Sequence, residues 1–462
     1  MFRNIFNTFA NCFKIPELKS RILFTVGILA VVRLISWIGI PGLNHTALAM
    51  YFDQSQGGGG LMGIYNRFAG GGYERCSIGA LGIMPYISAT IILQLMTAVI
   101  PRLSKLAREE GGRAQIIKLG RYLTVLLCIG QGFWFALGWE NPQKQFGSTF
   151  QSQLVLIENP YWYFFQTILI MTTGTMLLVW LGEQITERGI GNGVSLVITI
   201  GIVASFPAAG QGFKDMYFPA GGNAQHHLQG DFILLLGLLI LVIGGIIAVT
   251  QAQRKIPVQY ASRMVGQKMY QGGTNFMPLR VNYSGVMPVI FASSILMVPQ
   301  WIFPLLVTQI KTGPLHDMFI TLSGWFATGN VGYLASYALM ILFFSYFWVA
   351  TQFNEIQIAD DLKKNGGYIP GVRPGQGTSD YLHRAMSRIT LAGAIFLVII
   401  AVIPIILARK LNIDYNVAQF FGGTSMLITV GVLLDTMRQV ESHLMMRHYD
   451  GFLKKGRLRG RF

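Results

Sequence analysis

The stretch Arg67–Ser88, "RFAGGGYERCSIGALGIMPYIS", stands where a membrane protein would begin its second spanning helix. Three consecutive glycines, Gly70 to Gly72, and the charges Arg67, Glu74 and Arg75 do not suit a lipid-facing helix, yet the residues beyond Cys76 turn apolar and run on into "ATIILQL". A short, breakable, half-polar segment directly ahead of a true span needs a reason to exist.

The surrounding composition makes the membrane setting plain. Of 462 residues, 52% are hydrophobic and 12% charged, with a mean hydropathy of +0.47, whereas soluble domains carry about 25% charged residues. Apolar runs approaching the roughly 20 helical residues that cross a hydrocarbon core fall near 22–40, 78–100, 116–137, 161–181, 194–206, 233–249, 287–307, 331–349, 389–407 and 420–437. The fifth is short, and it crosses if protein surrounds it and flanking residues extend it. Lys and Arg are retained on the cytoplasmic side of short loops; with the N-terminus inside, 28 of them lie on that side and 7 on the other, Arg33 being within a span. Both termini are therefore expected in the cytoplasm. The first apolar run follows a basic leader of 20 residues and is read as its own insertion signal, with no cleavable signal peptide. Cys12, Cys76 and Cys128 have neither metal nor redox spacing.

Two cytoplasmic loops stand out. Residues 251–284 contain no Asp or Glu and alternate in places like a hairpin, as in "KIPVQYASRMVGQKMY" followed by "NFMPLRVNYSG". Residues 354–388 are broken by Gly-Gly, Ile-Pro and Arg-Pro-Gly. The opposite loops are polar and glycine-rich without a charge cluster. Most of the formal +16 charge is the inside-positive bias, which leaves room for a cytoplasmic partner with an acidic or phosphate-rich surface. Ten spans divide as five plus five, an arrangement frequent in transporters.

Ion-coupled transport needs ionisable groups at membrane depth, but here Glu183 and Asp435 sit at cytoplasmic ends and no carboxylate falls at mid-span. That weakens the main alternative, a small-molecule secondary transporter with a five-plus-five repeat. Arg33, the charge well inside a span, reads first as a residue satisfied by nearby carbonyls or snorkelling to an interface. All seven histidines lie in loops or the tail without zinc-protease spacing, and "GEQITERGIGNG" lacks the GxxxxGK[ST] pattern of a phosphate loop. No metal, nucleotide or other cofactor is expected. Serines in "FASSI" and "GGTSM" have no His or Lys at depth to activate them, so no enzyme is expected either. More telling is a repeated Gly-x-Met-Pro: "GIMPYISATIILQ" from Gly82 and "GVMPVIFASSIL" from Gly285. Proline is tolerated near a helix start, where its missing N–H has no intrahelical partner anyway, so both sites predict helix beginnings.

These segments, with "GTMLLVWLGEQITERGIGNGVS", "GYIPGVRPGQGT" and "FGGTSMLI", closely resemble the SecY family, whose members form the central subunit of the bacterial protein-conducting channel; the likeness runs in order along nearly the entire chain. It implies an all-α polytopic membrane protein, ten transmembrane helices in two pseudo-symmetric five-helix halves around a central hourglass pore. The halves would be 1–206 and 207–437, with a basic cytoplasmic tail at 438–462.

The resemblance also assigns residues. A plug at about 60–72 would include Gly60, Leu61, Met62, Ile64, Tyr65, Phe68, Gly70, Gly71 and Gly72, closing the channel at rest and moving aside when a polypeptide passes. A constricting ring would comprise Ile83, Ile87, Val194, Ile198, Ile290 and Ile428, an apolar waist that obstructs hydrated ions by dewetting. Val194 replaces the family's usual isoleucine and implies a slightly looser seal. A lateral gate between the second and seventh spans would involve Ile91, Ile92, Gln94, Ser293 and Ser294, letting apolar signal sequences partition into lipid. Arg254, Lys255 and Arg373 would dock the SecA motor ATPase or the translating ribosome, whose RNA phosphates call for positive charge; Arg254 with Lys255 stands where the family often has two arginines. The resemblance further implies SecE and SecG subunits, signal sequences and nascent chains as clients, YidC and SecD/SecF as further partners, a surrounding lipid bilayer, and residence in the bacterial inner membrane.

Overall fold

The computed structural model describes residues 15–54, 61–109, 111–142, 153–217, 229–260, 263–265, 268–270, 274–310, 312–327, 329–410 and 423–455. In chain order the helices are α1 (Pro16–Ile35), α2 (His45–Gln54), α3 (Leu61–Phe68), α4 (Met84–Val99), α5 (Pro101–Arg108), α6 (Gly112–Glu140), α7 (Pro160–Arg188), α8 (Gly193–Val203), α9 (Phe206–Tyr217) and α10 (Gln229–Gln251). Strands β1 (Gln253–Tyr260), β2 (Arg263–Val265), β3 (Lys268–Tyr270) and β4 (Thr274–Arg280) follow. Helices α11 (Met287–Gln309), α12 (Pro314–Phe326), α13 (Val331–Gln352) and α14 (Glu355–Lys364) precede β5 (Gly367–Tyr368), and α15 (Gln376–Lys410) and α16 (Gly423–Lys455) complete the described chain.

Local chemistry sets many of these boundaries. Proline occupies the first turn of α1, α4, α5, α7, α11 and α12, where no intrahelical N–H is lost. Asn159, Asn192 and Asn354 cap α7, α8 and α14 by accepting backbone N–H bonds. Gly82 and Gly285 both adopt positive φ, +57° and +63°, and each is followed by an N-cap residue, Met and Pro, so the repeated Gly-x-Met-Pro is one helix-start device used twice.

Among the described residues, seven segments are long and apolar enough to cross a membrane, and Met84–Val99 with Pro101–Ala107 makes an eighth that bends by 105°. With α1 and α16, whose apolar stretches are interrupted or bordered by charge, this is consistent with ten crossings. Two spans differ from the sequence expectation. The second begins as helix only at Met84, because the glycines at 79 and 82 hold residues 78–83 in turns. The fifth is not short: polar residues after Phe206 end the apolar run without ending the helix, so Gly193–Lys214 provides 22 residues across a small break.

The chain divides into two compact units, Met1–Lys214 with Val432–Phe462, and Asp215–Gly431. In the first, α7 packs against α1, α6 and α8, and α4 lies along α6. The signature "GEQITERGIGNG" ties this unit together. Thr186 Oγ1 accepts from Gly193 N–H at 2.9 Å, Ile190 N–H donates to Thr25 Oγ1 at 3.1 Å, and Gly191 N–H donates to Gln439 Oε1 at 2.8 Å. These bonds bind α7, α8, α1 and α16, a structural task for glycines that cradle no phosphate.

In the second unit α13 packs between α11 and α15, and the basic loop folds as an antiparallel ribbon with Gln253 opposite Arg280 and Gln259 opposite Thr274. Its alternation follows the sequence expectation, Ile256 and Val258 buried and their neighbours exposed. The loop after α14 joins it: β5 pairs with β1 at Gln259–Tyr368, giving the order β4-β1-β5. Ile256, Leu279, Val349, Phe353, Ile369, Leu382 and Met386 form a core beneath this sheet.

Gly174, the middle residue of α7, packs so tightly that an added Cβ would lie 2.1 Å from the Ile78 carbonyl oxygen, whereas a Cβ on Gly27 would meet nothing within 4 Å. Gly174→Ala is expected to destabilise the first unit by about 1–3 kcal/mol, the cost of overpacking, and Gly27→Ala to be neutral. Thermal unfolding of the detergent-purified variants checks the contrast.

Candidate functional site

The stretch that opened the sequence question is a short helix followed by a hydrogen-bonded, glycine-rich turn region, folded into the first unit. The contact of Ile78 with Gly174 puts it level with the centre of the 29-residue α7. Irregular backbone at such depth is tolerated only where protein satisfies its polar groups. Here it does: Ile78 N–H donates to Ile38 O at 2.9 Å and Ile40 N–H to Cys76 O at 2.8 Å, a short bridge to the end of the α1 segment. Gly71 N–H donates to Asn66 O at 2.8 Å, Ser77 N–H to Gly72 O at 2.9 Å, and Tyr65 Oη to Leu81 O at 2.8 Å.

Side chains close the rest of the arrangement. Asn66 bridges α3 to the turn, its amide donating to Glu74 Oε2 at 2.7 Å and its oxygen accepting Glu74 N–H at 3.1 Å. The Arg33 guanidinium donates to the Gly70 carbonyl, which answers how a charge inside a span is satisfied. Arg75 lies over the Trp37 ring at 4.2 Å. Tyr65 and Tyr73 each meet Phe135 edge-on at 4.9 Å, and Trp139 and Phe52 extend the aromatic cluster. Glycine is required at Gly70 twice over: its φ is +67°, and an added Cβ would stand 3.1 Å from Gly201 Cα on α8.

Of the plug residues expected from the sequence, Leu61, Met62, Ile64, Tyr65 and Phe68 lie on α3, and Gly70 to Gly72 in the turn that follows. Tyr65, Phe68, Gly70 and Gly72 are buried; Gly60 lies outside the described residues. Against this segment is a cleft lined by Arg33, Phe68, Gly70, Ile83, Val197 and Gly201, among others. Among the ring residues, Ile83, the N-cap of α4, lines that cleft; Ile87 and Ile198 are buried and Val194 is half-buried. In the second unit Ile290 and Ile428 are also buried. An added Cβ on Gly431 of α16 would lie 2.3 Å from Val286, so the starts of α11 and α16 meet one turn from each of these isoleucines.

The gate residues divide unevenly. On α4, Ile91 is buried, Ile92 is exposed, and Gln94 is half-buried with its Oε1 buried and unbonded. On α11 the Ser293 and Ser294 hydroxyls both donate to Ile290 O at 2.8 Å, spending their polarity on their own helix. Arg254 and Lys255 are exposed on β1, and Arg373 is exposed in the turn after β5, where its carbonyl accepts Thr378 Oγ1 at 3.1 Å. The three cations thus belong to one packed substructure, joined through the β1–β5 pairing that sequence reading missed. A two-residue strand carries too little periodicity to be seen. Asn66, Glu74 and Gly201 were likewise overlooked, since their importance lies in contacts made across the fold.

The fold and the internal segment define a multi-pass α-helical membrane protein that packs a short re-entrant element inside one of its units. The SecY family profile matches residues 77–437. Protein translocase subunit SecY of Chlamydia trachomatis is 40% identical over 461 residues, spanning 98% of this chain and 99% of the relative. The Thermotoga maritima subunit of the same name is 39% identical, with 99% and 100% covered. The chain belongs to the SecY family. Its fold is similar to a solved protein-conducting channel, with a TM-score of 0.56 at 17% identity, covering 93% of this chain and 96% of the other. It is also similar to Sec61 in the canine ribosome-channel complex from the endoplasmic reticulum, with a TM-score of 0.53 at 16% identity and coverages of 94% and 96%.

Asn66→Ala removes both links to Glu74, a loss of about 1–3 kcal/mol from the seated state. In a chain carrying Cys12→Ser and Cys128→Ser, the buried Cys76 then reports seating. Alkylation by a membrane-permeant maleimide is expected to be slow with Asn66 in place and roughly tenfold faster in the Asn66→Ala variant, 1.4 kcal/mol being a factor of about ten.

Proposed function

We propose that this chain is the protein-conducting subunit of a bacterial translocase, passing unfolded preproteins across the inner membrane and releasing apolar segments sideways into lipid. The observation that carries the reading is the seated segment 61–83: a half-polar element held at mid-depth by a few hydrogen bonds, in a chain of the SecY family. Segment 61–72 gives up on leaving the Asn66–Glu74 bonds, the Tyr65–Leu81 bond, the Arg33 contact and the packing on Gly201, while Ile83 stays in the waist. Such gating is a conformational step, not a reaction, and the chain itself binds no nucleotide and performs no chemistry in this account.

In this reading Ile83, Ile87, Val194, Ile198, Ile290 and Ile428 form the waist, wide enough only when an extended peptide pushes them apart. The plug is about 60–72, and α4 and α11 flank the lateral exit. Gln94, with its unbonded oxygen, weakens the closed seam. Energy comes from outside. SecA or a translating ribosome docks on the β4-β1-β5 platform through Arg254, Lys255 and Arg373, SecE clamps the halves, and SecG completes the complex. Both termini lie in the cytoplasm.

Proteoliposomes carrying the chain with SecE and SecG, given SecA, ATP and a preprotein, are expected to protect the preprotein from external protease. Arg373→Glu is expected to lower that yield about tenfold, the loss of one charge-assisted contact of roughly 1.5 kcal/mol, with unchanged thermal stability. Full protection by liposomes without the chain, or none with it while SecA remains bound, would contradict the reading.

A further inference from the structure

Helix α12, Pro314–Phe326, was not foreseen from the sequence and contains no buried residue. It connects α11 to α13 at the end of the second unit opposite the sheet, since β4 leads into the start of α11 and α13 leads back to α14 and β5. The helix does not trail into solvent. It folds back along α11: Phe303 meets the rings of Phe319 and Phe326 at 6.4 and 5.6 Å, and Gln300 Nε2 donates to Phe326 O at 3.0 Å. Gln300 and Phe303 belong to the apolar run Met287–Pro304, so α12 descends to the level of hydrocarbon-facing residues. At its end Trp325 lies on the start of α13, where a Cβ on Gly332 would be 2.5 Å from the indole.

The helix surface has three faces. Half-buried His316, Phe319, Ser323 and Phe326, at steps of three and four, mark the side turned to α11. Leu315, Met318, Leu322 and Trp325, spaced i, i+3, i+7 and i+10, form an apolar stripe beside it, with Leu315, Met318 and Trp325 56%, 45% and 54% exposed. Asp317 and Thr321, whose hydroxyl donates to Asp317 O at 2.9 Å, form a polar ridge next to that stripe. A stripe bordered by a polar ridge and ending in tryptophan is the pattern of a helix lying in a membrane interface. Val298 and Ile302 on α11 and Val331 and Leu339 on α13 are also exposed apolar residues, and Ile320, 48% exposed, lies on α12 between the polar ridge and the side turned to α11.

We propose that α12 is an interfacial anchor: its Leu315–Met318–Leu322–Trp325 stripe inserts among phospholipid acyl chains of the leaflet opposite the sheet, and its Asp317–Thr321 ridge faces water. Because α12 is fastened to α11 at Gln300 and Phe303, this anchor ties the far end of α11 to the bilayer surface.

The test uses the full chain with its three cysteines replaced by serine, a single cysteine at Met318→Cys or Thr321→Cys, an environment-sensitive NBD label, and nanodiscs of phosphatidylcholine and phosphatidylglycerol. The label at 318 is expected to be blue-shifted, quenched about twofold by lipid carrying a shallow doxyl group and protected from iodide, whereas the label at 321 is quenched by iodide, as an interfacial amphipathic helix requires. Leu315→Cys gives an independent reading of the stripe. Iodide quenching at 318 and 315 without lipid quenching would overturn the proposal by placing the stripe in water. Protection from both quenchers would overturn it by showing a protein surface over the stripe.

Discussion

Non-helical backbone inside a bilayer has to find its own hydrogen-bond partners, and everything unusual about the first unit follows from meeting that requirement between Ala69 and Ile83. The segment sits beside the centre of α7, and an unpaired amide buried there costs several kcal/mol. Its N–H and C=O groups turn to each other, to the strand-like end of the α1 segment, to Tyr65 and to Arg33. Gly70, Gly71 and Gly82 adopt positive φ here, as does Cys76 at +45°, and the lack of a side chain at Gly70 permits the approach to Gly201. Glycine content that would weaken an ordinary spanning helix is here the condition for burying a turn.

The segment is seated by polar and apolar contacts alike. The Arg33 bond and the bridge to residues 38–40 tie it to the rest of the unit, and Tyr65 and Tyr73 pack on Phe135, while Asn66–Glu74 and Tyr65–Leu81 lie within it. Each neutral bond contributes about 1 kcal/mol net. The second unit is built differently. Strands β1, β4 and β5, drawn from two separate loops, share one sheet and one apolar core.

Much of this was legible in the chain. The apolar runs, the proline-led starts at Gly82 and Gly285 and the hairpin alternation of residues 253–280 depend on neighbours close in sequence, and each has its counterpart in the fold. What could not be read depends on residues far apart. Ile78 against Gly174, the joining of β5 to β1 and the folding of α12 along α11 are tertiary events with no local period. The candidate residues show the same division: Phe68, Gly70 and Ile83 emerge around one cleft, whereas the Asn66–Glu74 pair beside them carries no signature in sequence. Composition misled at the fifth span, where Gln211 and Lys214 end hydrophobicity but not helix.

The central claim is that an extended polypeptide passes between the proposed waist residues once the plug at about 60–72 is unseated. The direct measurement places a photo-reactive amino acid at Ile87 and, separately, at Ile290, in membranes holding a preprotein stalled halfway across with SecA and ATP. The account predicts adducts to the preprotein at both positions, lost when its signal sequence is deleted. No adduct at either position, with the preprotein engaged and the complex intact, would contradict it.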